Sequence, residues 1–187
     1  MNSIRFLFCS NLKLKFNLKF ERDRIFAIAI QTFDNRNKFH CQCLYTIYSK
    51  LTSNVINGHR RFGHHWEEIG FQGTDPTTDF RGVGVLGLLQ LTFFIVNPET
   101  CKLCKVIYDL SNDSVQHFPF AIMSMNITQI SLQVLREGLL HKQINQKKSV
   151  LQVFNQFYFG TFYTFYKIWV DKKKTIIDTG YVLKGKW

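Results

Sequence analysis

A chain of 187 residues is long enough for one ordinary domain and short for two. With 45% hydrophobic residues, 16% aromatic residues and only 3 prolines, it is neither a disordered tail nor a collagen-like chain. The formal net charge of +11 sits at the ends: residues 1–60 carry 10 basic and 3 acidic side chains, residues 61–140 carry 5 and 8, and residues 141–187 carry 9 and 2. A nucleic-acid reader concentrates arginine on its recognition element, and the acidic centre does the opposite, so no nucleic-acid partner is expected. Basic ends suit an anionic membrane surface and equally a merely solvated face. The 19 phenylalanines point to an aromatic core or to apolar surface reserved for a partner.

In chain order, residues 1–9 hold one arginine and a short apolar patch (Phe6, Leu7, Phe8) with no small-residue cleavage site, a poor secretory signal. Leu12, Leu14, Phe16, Leu18 and Phe20 then alternate with Lys13, Lys15, Asn17 and Lys19. A period of two predicts a strand, which finds no place in the rest of the chain. From Phe39 the spacing turns helical, with Leu44, Ile47, Tyr48 and Leu51 on one stripe and Asn57-Gly58 as the expected stop. A polar, turn-rich stretch follows. Asp75-Pro76 then supplies an N-cap and an N1 proline to open a helix.

Residues 80–96 are apolar on nearly every side and interrupted by Gly82, Gly84 and Gly87. Each glycine weakens a helix by about 1 kcal/mol, so three so close together imply that another backbone or a partner approaches them. Asn97-Pro98 ends the run short of the ~20 apolar residues a membrane-spanning helix needs, which leaves a buried core helix. A further helix starts at Pro119 with Phe120, Met123, Ile127, Ile130 and Val134 inward and Gly138 as its stop. The last runs over about 150–169, with Val150, Phe154, Phe157, Phe165 and Trp169 inward, and Lys172, Lys173 and Lys174 at its negative end. The fold class is mainly α, one compact helical domain with an unplaced N-terminal segment.

Five cysteines in no secretory context do not suggest a disulfide framework. Cys101 and Cys104 have the spacing of half a zinc knuckle, but no second pair follows. His117 alone cannot complete four ligands, and His40, Cys41 and Cys43 would have to fold close by; no metal is expected. His59, His64 and His65 read as surface or turn residues.

The stretch from Trp66 to Leu89 is the least generic. It is an aromatic anchor, a Gly70–Gly73 turn, and a capped helix start with Arg81 in its first turns. An arginine near the positive end of a helix is electrostatically misplaced, although Asp79 can offset it. Such a guanidinium beside glycines that permit close approach suits a foreign phosphate; it suits equally a structural pair with Asp75 or Asp79.

This stretch resembles the signature of the ELMO domain, specifically the ELMO-domain-containing proteins that act as GTPase-activating proteins on Arf-family GTPases. The matching residues are Trp66, Gly70, Phe71, Gln72, Gly73, Asp75, Pro76, Thr78, Asp79, Phe80, Arg81, Gly82 and Gly84. The likeness continues through 118–129 and 154–158 to Trp169 and covers about residues 40–183. It implies an ELMO domain over 36–187, with 1–35 an extension dispensable for activity. It also implies that Arg81 acts in trans on an Arf or Arf-like GTPase, which keeps GTP and Mg²⁺ so that this chain needs no cofactor. The engulfment-type ELMO scaffolds look divergent at the arginine position, which favours the activating branch. Trp66, Phe71 and Phe80 read as framework, and Gln72 either positions water or bonds backbone in its turn. The alternative is a non-catalytic ELMO scaffold that binds a small GTPase or an exchange factor. The expected location is the cytoplasm, or its membrane surfaces through the basic ends.

Overall fold

The computed structural model describes residues 13–54 and 60–180. Among these there is no strand, and seven α-helices carry the fold: α1 (Phe16–Ala29), α2 (Lys38–Thr52), α3 (Gly84–Val96), α4 (Cys101–Ser111), α5 (Phe120–Arg136), α6 (His141–Lys147) and α7 (Val150–Asp171). The mainly α reading holds. Two 3-10 turns, His64–Ile69 and Pro76–Phe80, lie between α2 and α3, and a third, Ile176–Asp178, follows α7.

The core is built around α3. Leu88, Leu91 and Phe94 are fully buried in it, and α1, α2, α4 and α5 all pack against this helix. Its all-round apolar composition is that of a helix covered on every side. No single helix among the described residues is long and apolar enough to cross a membrane. On α5, Phe120 and Ile127 are buried while Ile130 and Val134 are only partly so, and Leu132 and Leu135 fill the places expected of them. On α7, Phe154, Tyr158, Phe162 and Trp169 are fully buried and Phe157 is half-buried. The buried Tyr158 hydroxyl shares a 2.7 Å hydrogen bond with Ser124 of α5.

The strand expected over 12–20 is absent: α1 occupies Phe16–Ala29. An alternating pattern also contains the i, i+4 spacing of a helix, and here only that subset is used. Leu14, Leu18 and Ile25 are buried, whereas Phe16 and Phe20 face water. Helix α1 packs on α3 and α7, so a boundary at residue 35 cuts through one packed unit. Helix α2 ends at Ser53 in a left-handed conformation (φ 60°); Asn57-Gly58 and His59 lie outside the described residues. Helices α4 and α6 have no counterpart in the sequence reading.

Candidate functional site

The stretch from Trp66 to Gly84 begins with a buried anchor. The Trp66 indole N–H donates to the Arg61 carbonyl at 3.0 Å, and its ring packs between Tyr45, Tyr48 and Phe71. Gly70 then turns the chain at φ 85°. A Cβ built there would lie 2.3 Å from the Phe120 amide nitrogen, so only glycine lets this turn rest on the start of α5. The contact is sealed by the Ile122 N–H, which donates to the Gly70 carbonyl at 3.1 Å.

Asp75 caps the next turn as its sequence predicts, but the turn is 3-10, and the α-helix begins only at Gly84. Asp75 Oδ1 accepts from the Thr77 N–H at 2.9 Å, the Thr77 hydroxyl at 2.7 Å and Arg61 Nη2 at 2.7 Å. Burial works to raise its pKa, but the Thr77 bonds and the Arg61 charge outweigh it and hold the carboxyl below its ordinary range. Arg81 stands at the end of this turn, three residues before α3, rather than inside a helix. Gly84 fixes the far side of the loop at φ 52°: a Cβ there would lie 2.4 Å from the Ala29 carbonyl oxygen and 2.5 Å from that of Gln31. The Gln31 carbonyl also accepts from the Val85 N–H at 2.9 Å, so the end of α1 caps the start of α3. Of the three glycines expected to admit a close backbone, Gly84 does so and the backbone is this chain's own, whereas Gly87 makes room for the side chains of Met125 and Val83 and Gly82 is not closely approached.

Arg81 is exposed, and among the described residues no hydrogen bond or ion pair anchors its guanidinium. The two carboxylates that could have paired with it are used otherwise. Asp75 is held by Arg61, and Asp79 Oδ2 accepts the Gln72 backbone N–H at 2.7 Å. Asp79 remains close enough for the Arg81 charge to act on it, yet burial dominates and raises its pKa. Gln72 is thus tied through its backbone, and its side chain is exposed.

A cleft of about 270 Å³ opens beside the arginine, lined by Gln72, Thr78, Asp79 and Arg81 on the loop and by Ile122, Met125, Asn126 and Gln129 on α5. Of the sequence candidates, the fold brings Gln72, Asp79 and Arg81 together at this cleft. Gly70, Gly73, Gly82 and Gly84 shape the backbone around it, all at positive φ. Trp66, Phe71, Pro76 and Phe80 are buried behind it and offer a partner no surface. Sequence reasoning missed Arg61, which organises the loop, and the polar residues Asn126 and Gln129 on the α5 wall. The i, i+3 spacing of Asn126 and Gln129, on a helix otherwise read for its apolar stripe, was the available signal.

Elsewhere, Cys101 and Cys104 lie on α4, and burial pushes the Cys104 thiol up to about 12. Among the described residues no group of three or more His, Cys, Asp or Glu is placed to hold a metal.

Residues 23–183 match the profile of the ELMO/CED-12 family. The chain is 42% identical over 172 residues to ELMO domain-containing protein 3 of Mus musculus, covering 92% of this chain and 45% of that protein. The Homo sapiens protein of the same name is 41% identical over the same length, with the same coverage. ELMO domain-containing protein 2 of Homo sapiens is 32% identical over 151 residues, 79% of this chain and 50% of that one. The chain belongs to the ELMO/CED-12 family, and it spans about half the length of the curated relatives it matches. No solved structure matches it.

Proposed function

We propose that this chain is a GTPase-activating protein for a small GTPase of the Arf family, acting from the cytoplasm and supplying Arg81 in trans. The observation that carries the reading is an exposed arginine with no anchoring partner among the described residues, held by a loop tied to α1 at Gly84 and to α5 at Gly70. A structural arginine would be paired; this one is positioned by its backbone while its side chain is left available.

GTP hydrolysis moves negative charge between the γ-phosphoryl group and the leaving oxygen. A guanidinium placed there stabilises the transition state more than the ground state, an effect worth roughly 10³–10⁵ in rate for arginine fingers. The GTPase retains the nucleotide, Mg²⁺ and the groups that orient water. Asp79 keeps the loop closed by accepting the Gln72 N–H, which leaves Arg81 the only cation among the loop residues that line the cleft.

The test is single-turnover hydrolysis by a panel of purified Arf and Arf-like GTPases, with and without this protein. Stimulation of at least one member is expected. Tight binding to a GTP-loaded member with unchanged hydrolysis would instead identify a non-catalytic scaffold.

A further inference from the structure

Two exposed phenylalanines and five exposed lysines gather at one end of the molecule. Phe16 is 86% exposed and Phe20 73%, one helical turn apart on α1, with Lys19 Nζ 5.7 Å from the centre of the Phe16 ring. Lys13, Lys15 and Lys19 are exposed beside them. Asn145 of α6 joins this end of α1: it accepts from the Lys15 N–H and donates to the Lys13 carbonyl, each at 3.0 Å. Glu21 then bonds Ser149, Val150 and Leu151 at the start of α7. The exposed Lys147 and Lys148, at the end of α6, fall in sequence between these two anchor points. The carboxylates of α1 are already engaged, Glu21 by the α7 terminus and Asp23 by Arg22 at 2.7 Å.

The rings contribute nothing to the core, and leaving two of them in water is unfavourable unless something covers them. They stand on a convex helix surface ringed by cations on flexible stems. That shape enters a deformable interface more readily than a fitted protein groove, with rings at the acyl boundary and ammonium groups among lipid phosphates. We propose that this end of the molecule docks on an anionic membrane through Phe16 and Phe20, assisted by Lys13, Lys15, Lys19, Lys147 and Lys148. The proposal does not depend on Arg81, whose loop lies at the opposite end of α1, about 20 Å away along a helix of this length.

The test is sedimentation of the protein with phosphatidylcholine vesicles, with and without phosphatidylserine. Binding only to the anionic vesicles, weakening as salt rises, is expected. The double variant Phe16→Ser with Phe20→Ser, whose melt should match the parent because both rings are exposed, should bind at least tenfold more weakly. Lys15→Glu with Lys19→Glu should also bind at least tenfold more weakly, since each lysine near such a surface is worth about fivefold in partitioning. Lys15→Arg with Lys19→Arg should bind like the parent. Equal sedimentation with neutral vesicles, no sedimentation at all, or a phenylalanine variant that binds normally would overturn the proposal. So would a dimer in sedimentation velocity that the phenylalanine variant dissociates, which assigns the rings to a second copy.

Discussion

At the scale of single residues, Arg81 and Asp79 make opposite kinds of prediction. Arg81→Lys keeps the charge but loses the planar fork that can bridge two phosphate oxygens. Since no hydrogen bond or ion pair among the described residues holds this side chain, and lysine keeps the charge that acts on Asp79, the variant should melt like the parent and still bind GTP-loaded partner. Its single-turnover stimulation should fall by about 10²–10³, the usual cost of one transition-state donor. Full stimulation by the variant would rule out the finger. Asp79 is a matter of stability. Its folded pKa lies above the ordinary carboxylate value because burial penalises the charge. The stability it contributes is therefore complete below that ordinary value and lost as pH rises through the folded pKa. Asp79→Asn retains an oxygen to accept the Gln72 N–H and removes the buried charge. It should raise Tm at pH 7 and change it less at pH 4. A larger gain at the acidic pH would reverse the assignment.

At the scale of elements, α1 makes the sharpest statement. Leu14, Leu18 and Ile25 belong to the common core, and burying side chains of this size is worth about 1.5–3 kcal/mol each. Together they approach the whole stability of an ordinary domain, about 5–15 kcal/mol. Deleting residues 1–35 should therefore abolish a cooperative melt, contrary to the expectation that this segment is dispensable. A truncated protein melting within a few degrees of the parent would show that α1 is an appendage.

The same helix shows what a sequence hides. Alternation is a reliable strand signal only when both faces of a sheet exist to receive it, and the tertiary context here buries Leu14, Leu18 and Ile25, four and seven residues apart. Helix α4 was obscured because Cys101 and Cys104 invited a metal reading, though they are two neighbouring positions on a helical turn. Helix α6, at seven residues, is too short to show a period. The loop from Trp66 to Gly84 was legible because glycine, proline and capping aspartate each have few conformational uses. The opposite wall of the cleft was not, because Asn126 and Gln129 carry no such constraint.

At the scale of the molecule, the abundance of phenylalanine resolves into a chain of aromatic contacts. Phe162 sits at its centre, 5.0 Å from Phe94, 5.6 Å from Phe120 and 5.7 Å from Tyr158 between ring centroids. It is fully buried and joins α3, α5 and α7. Phe162→Ala should cost about 3–5 kcal/mol in denaturant unfolding, the range for an aromatic cavity that cannot collapse. A loss below about 1 kcal/mol would mean that the surrounding rings close over the gap. The charge asymmetry resolves less completely in the fold: part of the basic excess at both ends of the chain meets at the α1–α6 corner.

The weld at Gly70 has a consequence for how such a protein diversifies. The spacing between the arginine loop and α5 is set where a turn without a side chain lies against the backbone of Pro119 and Phe120. This backbone contact involves the side chain of neither Asn126 nor Gln129, the exposed or half-exposed polar residues of the α5 wall. Asn126 and Gln129 can therefore be exchanged for other polar or apolar residues while the position of Arg81 stays as it is. The fold thus separates the placing of the Arg81 loop from the make-up of the exposed surface across the cleft, so that surface can vary without rebuilding the loop.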